Sequence, residues 1–258
     1  MANWNDNTEQ RQGFGSVPRA GDAVTRQETF DAGLRKHMLS IYNYMASGVL
    51  LTGIVALLTA RSGLALSFAS GPLMWIVALA PLAFVFAMSF GVNKFSKPTL
   101  QIMFWAFAIV MGLSLSTIFL VYTGESIAAT FFATAGAFAG LSLFGYTTKK
   151  DLSGFGTFLV MGVIGLLIAM VINIFLQSST LALAVSFLGV LIFAGLTAYD
   201  TQRLKSEYLA IQQAKVTNPA AAAAYPLGKM VIMGALSLYL DFINMFLFLL
   251  RFMGAARD

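Results

Sequence analysis

The segment Lys229–Leu250 reads KMVIMGALSLYLDFINMFLFLL, and Asp241 is the only charged side chain after its first residue. A helix needs about 20 predominantly apolar residues to cross the hydrocarbon of a bilayer, so this segment predicts a transmembrane helix. Asp241 lies twelve residues after Lys229 and ten before Arg251. At about 1.5 Å per residue, this places its carboxyl group ~15–18 Å from either end of the helix, near the bilayer midplane.

Six further apolar stretches precede this segment, and breakers such as Gly71-Pro72 and Lys97-Pro98 separate them. With 58% hydrophobic and only 10% charged residues, the chain has too little polar surface to coat a soluble globule. We therefore predict an all-α, polytopic membrane protein with seven transmembrane helices. The predicted spans are 39–60, 73–92, 99–122, 126–147, 155–176, 180–202 and 229–250.

The distribution of basic residues predicts how the chain is oriented. If the amino terminus is cytoplasmic, thirteen Lys and Arg residues lie in cytoplasmic segments, and only Arg61, Arg251 and Arg257 lie outside. Such a bias follows the positive-inside rule and puts the carboxyl terminus outside. The predicted organisation is a disordered cytoplasmic tail at 1–38, a transmembrane domain at 39–252 with a cytoplasmic connector at 206–228, and a short external tail at 253–258.

One sequence motif predicts how two helices pack. Gly136 and Gly140 form a GxxxG motif in the fourth span. Small residues at this spacing let two helices approach closely. We expect a tight helix crossing there.

Composition excludes several kinds of chemistry. The chain has no cysteine and one histidine, His37, which rules out disulfides, thiolate nucleophiles, Cys-ligated zinc and His-rich metal sites. The net charge of +5 comes from basic residues at helix ends, where they set topology, so we expect no nucleic-acid partner. Aspartyl intramembrane proteases require a Gly-Leu-Gly-Asp-like motif, which the sequence around Asp241 does not match. We therefore expect no enzymatic activity and no tightly bound cofactor.

Charged residues inside membrane spans are costly, and Asp241 and Asp200 are the two carboxyl groups that stand out. Asp200 ends the sixth span, where it either pairs with Arg203 at i+3 as an interfacial residue or converges on Asp241. Helical rise alone separates the two by roughly 10 Å in depth. Converging carboxyl groups would resist simultaneous ionisation and would supply the oxygen ligands that Ca²⁺ prefers.

Three stretches of the chain resemble the Bax inhibitor-1 (transmembrane BAX inhibitor motif) family, in its bacterial branch. They are GYTTKKDLSGFG at 145–156, AYDTQRLK at 198–205, and ALSLYLDFIN at 235–244, which runs on to LLRF at 249–252. The resemblance implies six helices around a central seventh, in a bacterial cytoplasmic (inner) membrane. It also implies a pH-sensitive calcium leak in which Asp200 and Asp241 form the acidic pair.

The family resemblance also implies a basic latch on one aspartate, from the cytoplasmic end of the second helix. The nearest candidate by position is Lys94, which keeps the charge of the family's arginine but lacks its planar fork.

Two functions remain open. The first is a proton-modulated Ca²⁺ leak channel with Asp200 and Asp241 as a proton and Ca²⁺ site, Ca²⁺ and H⁺ being its partners besides the lipid bilayer. The second is a regulator of membrane-protein quality control that acts on a membrane-bound protease through the cytoplasmic tail and connector.

Overall fold

The computed structural model describes residues 20–217 and 226–257. Within these residues the chain forms nine helices. They are α1 (Ala20–Arg61), α2 (Leu64–Phe68), α3 (Gly71–Gly91), α4 (Lys97–Leu115), α5 (Ile118–Val121), α6 (Gly124–Thr147), α7 (Ser153–Leu176), α8 (Ser179–Thr217) and α9 (Leu227–Met253). Seven of the described segments are long and apolar enough to span a membrane, which confirms the seven predicted spans.

The last span, α9, is the central helix of the bundle. About two thirds of its most apolar window is buried inside the protein, more than in any other described span. It packs against α1, α4, α6 and α8, whereas α3 packs mainly on α4 and α7 on α8. The predicted arrangement of outer helices around a central seventh is therefore confirmed.

A buried hydroxyl chain fixes α9 to its neighbours. Thr52 of α1 donates a hydrogen bond to the carbonyl oxygen of Ala108 on α4, at 2.8 Å. The Tyr239 hydroxyl of α9 lies 2.7 Å from the Thr52 hydroxyl. Both side chains are buried, and the bonds satisfy polar groups that hydrocarbon cannot solvate.

Two helices continue well beyond the length that a membrane requires. Helix α1 begins at Ala20 and α8 continues to Thr217. Residues 20–38 of the predicted disordered tail are therefore helical, and the first part of the 206–228 connector extends α8. The two extensions pack together where the His37 ring stacks on the Tyr208 ring at 4.7 Å between centroids. Residues 1–19 and 218–225 lie outside the described residues.

The opposite end of the bundle is closed by the chain terminus. After α9 ends at Met253, Ala256 forms a β-bridge with Tyr122. The Arg257 N–H donates to the Val121 carbonyl at 2.8 Å, and the Ala255 N–H donates to the Ser126 hydroxyl at 2.9 Å. The predicted external tail is thus attached, over its described residues, to the corner between α5 and α6.

The close helix contact in the fourth span is not made by the GxxxG motif. Gly136 and Gly140 are exposed, and a Cβ added to either would meet no described atom within 4 Å. The predicted helix crossing at this motif is therefore wrong for this chain. The contact is made by Gly145, where an added Cβ would lie 2.2 Å from the carbonyl oxygen of Ala198 on α8.

Replacing Gly145 by Ala should lower stability, because the backbone of α8 would have to move away from the new methyl group. Overpacking of this kind costs about 1–3 kcal/mol. Thermal unfolding of the detergent-solubilised protein would measure the loss. Gly140→Ala on the same helix is the matched control, and it should leave the midpoint unchanged or raise it. Equal midpoints for the two variants would contradict the assigned contact.

Candidate functional site

Asp200 and Asp241 are both buried, each with 5% of its surface exposed. Asp200 lies on α8 and accepts a hydrogen bond from the hydroxyl of Ser237 on α9. Ser237 precedes Asp241 by four residues, so it lies one turn away on the same face of α9, about 6 Å along the helix axis. The structure therefore brings the two acids to adjacent turns of the α8–α9 interface.

Arg203 is the cation of this cluster. Its Nη1 lies 3.2 Å from Asp200 Oδ1, and its Nε lies 3.5 Å from Glu207 Oε1. Its Nη2 donates to the Ser237 hydroxyl at 3.3 Å. The interfacial Asp200–Arg203 pair is thus present, and the same carboxylate also reaches α9 through Ser237. The two interpretations of Asp200 from the sequence are compatible.

Asp241 has less compensation than Asp200. Its buried Oδ2 atom has no hydrogen-bond partner among the described residues. A charged carboxylate without a partner costs several kcal/mol in an apolar environment. Such a group must either contact a cation or take up a proton, and this requirement is the chemical property that distinguishes the site.

A cavity of about 560 Å³ connects this cluster to one end of the bundle. Its polar lining includes Arg203, Glu207 and Ser237, together with Lys229 and Ser89. The cavity lies at the end that carries most of the basic residues of the described chain. It therefore gives the α8–α9 interface an access route from that end.

Lys94 is not part of this cluster. It is exposed in the turn after α3 and makes no ion pair within the described residues. Arg203, on the same helix as Asp200, occupies the position of counterion that the family resemblance led us to expect of Lys94. The lysine that lines the cavity is Lys229, and it donates a hydrogen bond to the Val92 carbonyl oxygen at 3.0 Å.

The 145–156 stretch also packs against the helix that carries Asp200. Gln202 donates to the Lys150 carbonyl at 2.7 Å and accepts a bond from the Leu152 N–H at 2.8 Å. Lys205 donates to the Tyr146 carbonyl at 2.7 Å. The loop between α6 and α7 is thus held on α8 one turn from the acid pair, so all three family-like stretches meet at this end.

Within that loop, Asp151 helps to start α7. Its Oδ1 atom accepts hydrogen bonds from the Ser153 hydroxyl at 2.6 Å and from the Ser153 N–H at 2.9 Å. These bonds, the side-chain one first, lower the pKa of Asp151 below its ordinary value. Asp151 is solvent-exposed and takes no part in the buried cluster.

Sequence reasoning did not assign a role to Ser237, Gln202 or Glu207. For Ser237 a signal was present, because a hydroxyl four residues before Asp241 lies on the same helical face. For Gln202 the partners lie fifty residues away in the chain, and helical periodicity contains no information about them.

The donor set suits a passing cation better than a resident one. Among the residues that the structure describes, no group of three or more His, Cys, Asp or Glu side chains is arranged to hold a metal ion. Ca²⁺ takes six to eight oxygen ligands in its stable sites. A pair of carboxyl groups with one hydroxyl offers fewer, so any bound Ca²⁺ would retain much of its water.

Comparison with known proteins identifies the family. A family model described as "Inhibitor of apoptosis-promoting Bax1" matches residues 34–258. This chain belongs to the Bax inhibitor-1 family. The match includes all three stretches that meet around Asp200, so the cluster lies within the region by which the family is defined.

Bacterial members of the Bax inhibitor-1 family are similar to this chain over most of their length. The inner membrane protein YbhL of Escherichia coli K12 is 44% identical over 228 residues, which cover 88% of this chain and 94% of YbhL. An uncharacterized protein of Caulobacter vibrioides is 47% identical, covering 88% and 92%. An uncharacterized protein of Rickettsia prowazekii is 44% identical, covering 91% and 96%. Like YbhL, this chain is an integral membrane protein, and it has seven spans.

In this Bax inhibitor-1 family protein, Arg203→Gln should lower stability at neutral pH, because Asp200 would lose its counterion. Breaking a fully buried pair costs about 3–5 kcal/mol. The Arg203 side chain is 39% exposed, so we expect solvent to reduce the loss to about 1–2 kcal/mol. The loss of stability relative to wild type should become smaller at acidic pH, since a protonated Asp200 needs no counterion. Thermal unfolding measured across pH checks this.

The matched control for that experiment is Lys215→Gln, which removes an exposed positive charge from the same helix. It should leave stability unchanged at every pH. A deficit of Arg203→Gln that does not change with pH would show that the arginine acts by packing and not by charge.

Proposed function

We propose that this protein is a pH-sensitive calcium leak channel of the Bax inhibitor-1 type, in which Asp200 and Asp241 act together as the proton sensor. The observation that carries the proposal is the hydrogen bond from Ser237 to Asp200, which joins the α8 acid to the α9 turn next to Asp241. Two acids, one arginine and a cavity are thereby concentrated at one interface between helices. No catalytic step and no bound cofactor is part of the proposal.

Proton binding would act on the contact between α8 and α9. Arg203 joins the two helices, because it pairs with Asp200 on α8 and donates to Ser237 on α9. Protonation of Asp200 removes the charge that orients Arg203, so this contact weakens. One arrangement of α8 and α9 would favour charged Asp200 paired with Arg203, and another would favour neutral Asp200. A change of pH would then shift the population between these two arrangements.

The described arrangement corresponds to the closed state in this proposal. Beyond Asp241, the α9 side chains Phe242, Phe246 and Phe248 are buried in the bundle. At the far end, residues 255–257 bind the α5–α6 corner. Ca²⁺ would enter through the polar cavity, which Glu207 and Ser237 line, and would then pass Asp200 and Asp241.

The transport test uses purified protein in liposomes that contain a Ca²⁺-sensitive dye. Wild-type protein should show a Ca²⁺ flux that changes between neutral and acidic pH. The double variant Asp200→Asn and Asp241→Asn should flatten this dependence, because amides do not titrate. Asp151→Asn, which removes an exposed carboxylate outside the spans, is the matched control and should keep the wild-type profile. An unchanged pH profile in the double variant would reject the sensor.

We further propose that the amino terminus and the end with the polar cavity face the cytoplasm, and that the carboxyl terminus lies outside. Because the native chain has no cysteine, single cysteines report orientation cleanly. Both Ser62 and Ser206 are exposed and lie at opposite ends of the bundle. In intact cells a membrane-impermeant thiol reagent should label Ser62→Cys and leave Ser206→Cys unlabelled until the membrane is opened. The reverse pattern would overturn the orientation.

A regulator of a membrane-bound protease remains the second candidate. It is supported by the extensions of α1 and α8 beyond the length that a membrane requires, which pack together where His37 stacks on Tyr208. The liposome assay separates the two functions. A wild-type protein without any Ca²⁺ flux would reject the channel and leave the regulatory role.

A further inference from the structure

A second cavity of about 740 Å³, which neither acid lines, lies on the side of the bundle between α1 and α6. Its walls are the α1 residues from Arg35 to Leu50 and the α6 residues from Phe131 to Tyr146, and Phe242 of α9 contributes to its lining. Nearly all of the lining is apolar. Several wall residues, including Leu50 and Leu143, are exposed at the protein surface, so the cavity is a groove open to the lipid.

The groove has the length of one lipid leaflet. Each wall covers fifteen helical steps, which corresponds to ~22 Å along the helices. A bilayer is about 40–45 Å thick including its headgroup regions, so one leaflet is ~20–22 Å. A groove of this length can hold one acyl chain together with the beginning of its headgroup.

A flexible hydrocarbon chain suits this groove. The lining is almost entirely apolar and opens to the protein surface, so an acyl chain of the surrounding bilayer can enter it from the side.

One end of the groove is basic. Arg35 lines it, is exposed, and makes no ion pair within the described residues. Tyr146 lines the same end, and the Lys205 ammonium lies 5.0 Å from the centre of the Tyr146 ring. A phosphate at the depth of the lipid headgroups would find the Arg35 guanidinium here. Arginine binds phosphate with its planar fork of donors.

We propose that this groove binds one anionic phospholipid, with an acyl chain between α1 and α6 and its headgroup phosphate at Arg35. The bound chain would cover the Phe242 side chain, next to Asp241, and would fill the space that separates α1 from α6. The proposal concerns lipid binding alone, and it does not depend on calcium transport.

Native mass spectrometry of the purified protein tests the headgroup contact. Phosphatidylglycerol and phosphatidylcholine with identical acyl chains are added in turn, and the fraction of protein with one bound lipid is measured. A basic residue near an anionic headgroup contributes about 1 kcal/mol, so we expect phosphatidylglycerol to bind about fivefold more tightly. Arg35→Gln should abolish this preference, whereas the control Lys36→Gln, which changes the adjacent exposed residue outside the groove, should keep it. Equal preferences in these two variants would overturn the role of Arg35.

The acyl chain is tested by filling the groove. Ala139→Phe places a ring in the groove and should reduce binding of both lipids. Ala137→Phe, at an exposed position of the same helix outside the groove, is the matched control and should bind like wild type. Ala46→Phe fills the groove from the α1 wall and should reproduce the effect of Ala139→Phe. If both groove variants still bind one lipid as wild type does, the groove is not the site.

Discussion

The requirement on which the rest of the structure depends is that a carboxyl group inside a membrane protein must be compensated. Asp200 meets this requirement through Arg203 and the Ser237 hydroxyl. Asp241 meets it only in part, because its Oδ2 atom has no hydrogen-bond partner among the described residues. The low polarity of the interior makes each of these contacts worth more than it would be in water. The same low polarity makes the incompletely compensated acid costly to keep charged.

Bringing the acids together requires the surrounding helices to pack unusually closely. The backbone of α6 approaches α8 at Gly145, and an added Cβ at Gly156 of α7 would lie 2.3 Å from the Tyr199 ring. The loop between α6 and α7 is then tied to α8 by Gln202. These contacts fix the position of α8 against α6 and α7, and with it the position of Asp200. Glycines on the neighbouring helices are therefore part of the site although they carry no chemistry.

Several sequence predictions failed where packing between distant segments decides the result. The GxxxG motif predicted a crossing that Gly136 and Gly140 do not make, because that face of α6 points away from the other helices. The estimated depth difference of roughly 10 Å between the acids treated each span as an independent perpendicular rod. The hydrogen bond from Ser237 joins Asp200 to the α9 turn next to Asp241, a contact that spacing within one helix does not predict. Helical periodicity gives the face of one helix, and it does not say which neighbour that face meets.

The sequence by itself determined the seven spans, their approximate ends and the two acidic residues within them, and it offered the local pair of Asp200 with Arg203 as one of two alternatives. These features follow from hydropathy and from spacing within one helix, both of which are local. Only the tertiary structure decided that Ser237 joins Asp200 to α9, that Lys94 lies outside the cluster, and that an apolar groove separates α1 from α6. Each of these depends on how far apart two helices lie, and that distance is set by the side chains of both helices together.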